Sequence, residues 1–550
     1  MKIQIVSCCL EEGNLSFPLG ALSIQTAIEH HPTLKHYPCI LGAYSLEDDP
    51  FKAAEKSAES EATHIGCSIY LWNRAWFDQF AKHLKTLAPS VTLFAGGTEV
   101  TANPHSFDLD LYDFLTLGEG EQSTTLALSQ LLEGKECQGQ GILTKGKALS
   151  YAFPQDLSLL DSVLLSGSAD AFVKPGSSIL WEMTRGCPFS CAFCFESKGI
   201  RSVRHFTYER INEELEYLLA NQVEEVFILD PTFNMDKKRT LQLLNLILRL
   251  APSIHFVFEI RAELLDEELA DAFARLNCSL QIGLQSSDPE VLKTANRRFD
   301  ATLFARNITL LNTRGIPFGL DLIIGLPKDN LATFRRSLDY ALMLKSSNLD
   351  IFPLSLLPGT LVAEQASEYG IKSLGKAPYT ILSSPTFSEE DLKKAMRLKE
   401  SCDVFYTLGQ AGMWMGKLCE AADLSPSTIL ELFGSYKDYY HARTKLSPEE
   451  DDIFSLQEAF VTSLLKKLGR HAYLPAILSF IELHQGIAFF HTYQESPVLH
   501  LRYNLDQLAQ LETMSLEKFI ARYPHTTQQA WGIYALEDGQ LQFLPLEEEN

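Results

Sequence analysis

Cys187, Cys191 and Cys194 lie in one short run between Thr184 and Phe195. Three thiolates at C-x3-C-x2-C spacing can ligate three irons of a 4Fe-4S cluster and leave the fourth iron without a protein ligand. An open iron is a reactive position, able to bind a substrate or cofactor. A closed structural zinc site needs a fourth ligand, usually from a second C-x2-C or a histidine pair. Neither lies near in sequence, and the closest downstream histidine is His205. Zinc and unligated buried cysteines are the rival readings of the trio.

A reactive loop needs a rigid support, and its flanks have the pattern of one. The run 178–184 reads as a strand leading into the loop, and strand and helix patterns alternate from there to about residue 356, as a parallel barrel requires. Strands are predicted at Val226–Leu229, Ile254–Glu259, Ser279–Leu284, Pro317–Gly325 and Asp350–Ser355. Thr207 and Asp288 are predicted helix caps, the latter with Pro289 at the first helical position. The strand tips carry Asp230, Glu259, Arg261 and Gln285, and barrel tips converge on one mouth. Glu259 and Arg261 are two apart, so both can face one side of an extended strand. They read either as ligand-binding groups or as a structural ion pair. Gln285 reads as a contact or a turn residue, Asp321 as an inward-pointing group ahead of its strand's apolar run. Arg204 reads as a counter-charge to a cofactor or as a surface residue.

Residues 1–135 also alternate strand and helix. Strands are predicted at Lys2–Val6, Ile65–Ile69, Val91–Ala95 and Asp113–Leu117, with helices over Leu19–Glu29, Arg74–Leu87 and a last one ending at Leu132. Glycines fall where strands end, at Gly96-Gly97 and at Gly118-Glu119-Gly120. That is the pattern of a doubly wound, Rossmann-like sheet with its ligand crevice at the strand C-termini. Residues 136–176 read as a linker with a hairpin over 141–152 turning at Lys145-Gly146. Residues 361–550 read as mainly helical, with helix starts at Ser388–Asp391 and Ser447–Glu450 and a hairpin turning at Asp538-Gly539.

The cysteine run, with the aromatic Phe193 before its third cysteine, resembles the radical S-adenosylmethionine (radical SAM) superfamily. The resemblance implies a partial (β/α)6 TIM-type barrel over 177–360 with the cluster loop after its first strand. It also implies nucleotide contacts from the strand tips at Asp230, Glu259, Arg261 and Gln285. Phe17-Pro18-Leu19-Gly20, the run Gly96-Gly97-Thr98-Glu99, Pro104 and the run Gly118–Glu121 resemble the cobalamin-binding domain that precedes many such barrels. Tyr70 to Arg74 fits one branch of that group. On this resemblance Leu19, Tyr70, Gly96, Gly97, Thr98, Gly118, Glu119 and Gly120 contact cobalamin. The Asp-x-His-x-x-Gly motif that gives cobalt a histidine in other cobalamin proteins is absent. Residues 364–382 resemble an uncharacterised C-terminal extension of some cobalamin-type members. The aromatics Phe405, Tyr406, Trp414, Tyr436, Tyr439 and Tyr440 beyond it read as core or as a substrate cover.

The implied chemistry is one-electron cleavage of S-adenosylmethionine on the open iron, hydrogen abstraction from an unactivated carbon of an unknown substrate, and methyl transfer through cobalamin. Rearrangement or cyclisation without methyl transfer, and a non-catalytic iron–sulfur protein, are the alternatives. Transfer-RNA methylthiolation wants a further cysteine trio in the first domain, and Cys8, Cys9, Cys39 and Cys67 lack that spacing. Seventy acidic against 47 basic residues, a net charge of -23, argue against an extended nucleic-acid footprint. The N-terminal run reads as a strand rather than a signal peptide. No apolar run is read as approaching a membrane span. Eleven cysteines in 550 residues do not suggest a disulfide scaffold, and a cluster suits a reducing cytoplasm with a flavodoxin- or ferredoxin-type electron donor.

Overall fold

The computed structural model describes residues 1–11, 16–196, 201–444, 452–493, 495–535 and 541–546. Its first sheet is built from β1 (Ile3–Cys9), α1 (Leu19–His30), β2 (Cys39–Ser45), α2 (Pro50–Glu59), β3 (His64–Ser68), α3 (Arg74–Leu87), β4 (Thr92–Gly96), α4 (Thr98–Ala102), β5 (Phe114–Thr116), α5 (Gly120–Leu132) and β6 (Ile142–Leu143). The strand order is β2-β1-β3-β4-β5-β6, parallel except for β6. Such an order reverses between β1 and β3, and a ligand crevice opens there, outside the strand C-termini. Trp76, Phe77, Phe80 and Leu84 recur at helical spacing along α3 and are all buried. The periodicity reading has no element for β2 and α2, although Asp49 caps α2 with Pro50 at its first position.

The hairpin predicted over 141–152 does not form. Ile142-Leu143 pairs with β5, and Ala152 bridges Gly118 in parallel. The edge of β5 offers unpaired backbone groups to both arms, so each joins the sheet rather than the other.

The second sheet holds β7 (Ser178–Trp181), β10 (Glu225–Ile228), β11 (His255–Ile260), β12 (Cys278–Gln285), β13 (Phe318–Ile324) and β14 (Asn348–Pro353), all parallel and in chain order. A two-rung ribbon, β8 (Thr184–Arg185) with β9 (Arg204–His205), closes the stem of the cysteine loop. The intervening helices α6 (Tyr208–Ala220), α7 (Lys237–Leu250), α8 (Glu267–Phe273), α9 (Pro289–Thr294), α10 (Ala301–Asn312) and α11 (Leu331–Leu342) cover one face. Strand alternation decides what faces them. On β12, Cys278, Leu280, Ile282 and Leu284 are buried, while Ser279, Gln281, Gly283 and Gln285 are partly open to the lumen. Thr207 accepts from Arg210 N at 3.3 Å and Asp288 from Glu290 N at 3.0 Å, capping α6 and α9. Asp321 lies within β13, directly ahead of the apolar run Leu322–Ile324.

The remaining elements are α12 (Leu361–Glu364), β15 (Lys372–Ser373), β16 (Ile381–Ser383), α13 (Glu389–Cys402), a π-helical turn over Asp403–Leu408, α14 (Met415–Ala422), α15 (Pro426–Thr444), α16 (Ile453–Lys467), α17 (Leu474–Tyr493), β17 (Val498–Leu501), α18 (Leu505–Leu511), α19 (Leu516–Arg522), β18 (Gln529–Ala535) and β19 (Leu541–Pro545). Ser388 caps α13 through Asp391 N at 3.1 Å. The helix start at 447–450 and the turn at 538–539 lie outside the described residues. β18 and β19 do pair, and β17 adds a third strand. Phe405, Tyr406 and Trp414 are fully buried, so they are core, whereas Tyr439 is 62% exposed. Among the described residues one helix, His471–His491, is long and apolar enough by length and composition to cross a membrane, with a mean hydropathy of 1.3 and about half of it buried in the protein. The run is longer than the sequence reading allows, but Glu482, His484 and Gln485 interrupt it, and the core helix of a folded domain has the same length and composition.

Candidate active site

A cavity of about 600 Å³ lies between the C-terminal edge of the first sheet and the mouth of the barrel. Leu19, Tyr70, Gly96, Gly97, Thr98, Gly118, Glu119 and Gly120 all line it from the first domain. Thr184, Arg185, Gly186, Phe195 and Glu196, flanking the cysteines, line it from the barrel side. Two glycines are required by geometry. Gly97 has φ +113°, and a Cβ there would sit 2.3 Å from the Ile69 carbonyl oxygen; Gly118 has φ +92°, and its Cβ would sit 2.2 Å from that of Ala152. Both clashes are with backbone, which cannot swing aside.

Asn73, within the 70–74 run but given no role of its own from sequence, ties the switch point together. Its Nδ2 donates to the carbonyls of Cys8 (2.9 Å) and Ser68 (3.2 Å), at the ends of β1 and β3, and its Oδ1 accepts from Tyr70 N (2.8 Å). Tyr70 stacks flat on Trp72, with ring centroids 4.6 Å apart and planes 3° from parallel. Together they present an aromatic surface to the cavity.

Cys187, Cys191 and Cys194 are half-buried and free. Burial first, and then the neighbouring Cys191, push the Cys187 thiol up, and Cys194 rises to about 11 from burial, Cys191, Glu196 and Cys187. The thiols are therefore near enough to oppose one another's ionisation. Such groups shed protons when a metal binds. Among the described residues no three His, Cys, Asp or Glu side chains converge on a single ion. Irons at three corners of a cube need ligands set wider than one ion does.

The loop is held mainly through its backbone. Ala192 N donates to Ala295 O (3.0 Å), and Val362 N donates to Ala192 O (2.9 Å). Asn296 Nδ2 donates to Ser190 O at 3.1 Å. Phe193 packs against the barrel core. Asp230 is 2% exposed, and its Oδ1 accepts from Met183 N (2.8 Å) and Thr184 N (2.9 Å). The structure thus turns it onto the strand that feeds the loop rather than into the cavity. Burial raises its carboxyl to about 6.

Glu259 and Arg261 do not pair with each other. Arg261 lies past the end of β11, binds Glu263 at 3.1 Å and stacks 3.8 Å over the Phe189 ring of the cysteine loop. Asn234, at the tip after the second barrel strand and given no role from sequence, clasps the Arg261 backbone, accepting from its N (3.0 Å) and donating to its O (2.9 Å). Glu259 reaches water within the lumen while protein surrounds it. Those walls, then Asp321 and Glu196, raise its carboxyl to about 7. Deeper, Gln281 Nε2 donates to Asp321 and, at 3.0 Å, to Asp350, which also accepts from Asn348 Nδ2 at 2.9 Å. Gln285, at φ +68°, is a strand-end turn residue where the β12–β13 register shifts.

Arg204 is buried. It binds Glu119 and, through Nη1, the Pro154 carbonyl at 2.5 Å. Arg185 binds Glu119 (3.0 Å), Glu121 (2.9 Å) and Glu182 (2.9 Å). The three carboxylates hold the Arg185 guanidinium firmly protonated against its burial.

A cysteine-trio loop thus stands at the mouth of a parallel partial barrel and faces a doubly wound domain across one cavity. Residues 181–341 match the family model described as Radical SAM superfamily. The chain is 26% identical over 382 residues to the cobalamin-dependent radical SAM methyltransferase TokK of Streptomyces tokunonensis, a match covering 62% of this chain and 54% of that relative. It spans about half the length of the curated relatives it matches first. The fold is shared with the cobalamin-dependent radical enzyme OxsB (TM-score 0.56, 13% identity, 94% of this chain and 83% of that one). It is shared too with the methyltransferase TsrM of Kitasatospora setae (TM-score 0.55, 16% identity, 68% and 79%). Residues 181–341 thus carry a radical SAM domain, and the chain as a whole is similar to cobalamin-dependent radical SAM methyltransferases.

Proposed function

We propose that the chain is a cobalamin-dependent radical SAM methyltransferase acting on an unactivated carbon. The observation that supports this most is the shared cavity: the glycine turns of the doubly wound sheet and the cysteine loop of the barrel form its opposite walls. Its volume, about 600 Å³, falls within the range of small-molecule and cofactor sites. The residues present fit the three groups. Cys187, Cys191 and Cys194 supply soft thiolate donors for a 4Fe-4S cluster. The tips at Glu259 and Arg261 offer one acidic and one basic group for the amine and carboxylate of S-adenosylmethionine. Gly96 to Thr98, Gly118 to Gly120, Leu19 and Tyr70 offer exposed backbone and a flat aromatic face for a corrin.

When bound, these groups supply one-electron cleavage of a sulfonium and a transferable methyl. This chain's residues orient them and exclude water. Asp230 and Asn234 fix the strand ends that carry the loop and Arg261, and Arg261 braces the loop through Phe189. Asn73 fixes the switch point. A reductant of the flavodoxin or ferredoxin type is required, and the eleven free cysteines suit a reducing compartment.

The test is anaerobic incubation of the reconstituted chain with S-adenosylmethionine, cobalamin and a strong reductant. Formation of both 5′-deoxyadenosine and S-adenosylhomocysteine is the expected result. Deoxyadenosine alone would point to rearrangement or cyclisation, and neither product would reject the enzyme reading.

A further inference from the structure

Glu119 stands between Gly118 and Gly120, two of the glycines that line the cavity. Its carboxylate faces away from them, into the barrel. Oε2 accepts from Arg185 Nη1 at 3.0 Å, and Oε1 accepts from Arg204 Nη2 at 2.5 Å. Arg185 lies two residues before Cys187 and Arg204 ten residues after Cys194; the two are opposite each other in the ribbon that closes the cysteine loop. One carboxylate therefore grips both stems of that loop. The grip is partly shielded at the cavity wall: side-chain exposure is 16% for Glu119, 14% for Arg185 and 7% for Arg204. Ion pairs so shielded are poorly screened by salt and set a definite geometry. Glu121 and Glu182 hold Arg185 from two further sides, so it has little freedom to follow any other partner.

A planar ligand seated on the glycine turn would bear on the backbone at 118–120, which lines the cavity. Any displacement of that turn moves Glu119, and through it both stems of the loop. We propose that Glu119 is a positioning residue that couples corrinoid occupancy of the cavity to the geometry of the cysteine loop. The inference rests on the cofactor assignment above. By linkage, the cluster must then favour corrinoid binding by the same factor as the corrinoid favours the cluster-competent loop.

The experiment measures hydroxocobalamin affinity by anaerobic equilibrium dialysis, on full-length chain with and without a reconstituted iron–sulfur cluster. Wild type should bind at least about fivefold more tightly when the cluster is present, the lower end of typical coupling. Glu119→Gln, which keeps the side chain's shape, should reduce that ratio to near unity. Arg204→Lys, which keeps the charge but loses the forked contact, should also reduce it. In parallel, corrinoid should shift the electron paramagnetic resonance spectrum of the reduced cluster in wild type and not in Glu119→Gln. A wild-type chain with no cluster-dependent ratio, or variants that keep the wild-type ratio and spectral shift, would overturn the coupling. A wild-type chain that binds no corrinoid or no iron would instead overturn the cofactor assignment itself.

Discussion

At the scale of single residues, the proposed chemistry rests on the trio of cysteines, and its neighbours set the conditions. Replacing Cys187, Cys191 or Cys194 singly with Ala should abolish deoxyadenosine formation and deplete bound iron, read by metal analysis after reconstitution. Glu259 gives a pH prediction. Its carboxyl stands at about 7 in the folded chain against roughly 4.3 when unfolded. Between those values the folded chain keeps a proton that the unfolded chain has lost. Stability from this group is therefore lost as pH rises through that window. Glu259→Gln removes the loss, so urea midpoints should show the variant gaining on wild type between pH 5 and pH 8, in a series of about three pH points. A constant difference would reject the shift. The sequence spacing made the cysteines legible because three ligands on one loop need no tertiary information. It could not show that Glu259 and Arg261 part company. That depends on Glu263, two residues on, and on a phenylalanine ring more than seventy positions upstream.

At the scale of elements, two strand-to-loop transitions hold the site. Gly118→Ala forces a Cβ against a carbonyl at a positive φ. A cost of about 1–3 kcal/mol is expected, with weaker corrinoid binding, read from denaturant midpoints and dialysis. Asp230→Ala strips the Met183 and Thr184 amides of their acceptor, at about 1–3 kcal/mol for each buried group left unpaired. Its cluster should be lost faster on exposure to air, followed by the decay of its visible absorbance. Most elements were legible from periodicity: α3 and the barrel strands stand within one to three residues of their predicted ends. β2 and α2 were not, because the strand has no polar alternation and lies at the sheet edge. The 141–152 segment misled for a related reason. A Lys-Gly turn between short arms looks like a hairpin until a neighbouring strand edge competes for both.

At the scale of the whole molecule, the C-terminal extension is part of the frame. Tyr379 Oη donates to the buried Glu99 (2.5 Å) and accepts from Asn103 Nδ2 (3.0 Å), across to the helix that begins after Gly97. Val362 binds the cysteine loop at Ala192. The C-terminal region thus touches both the helix after Gly97 and the cysteine loop, contacts that no local pattern in the sequence could reveal. Tyr379→Phe removes that donor and leaves Glu99 facing Arg74 at 3.6 Å. It should cost about 1–3 kcal/mol and expose the extension to limited proteolysis. The most direct measurement of the central claim is metal and corrinoid stoichiometry after anaerobic reconstitution with iron, sulfide and hydroxocobalamin. About four irons and one corrinoid per chain are predicted, the count for one cube and one cofactor site. A folded chain with its three cysteines intact that takes up a single zinc and no iron, or iron and no corrinoid, would contradict it.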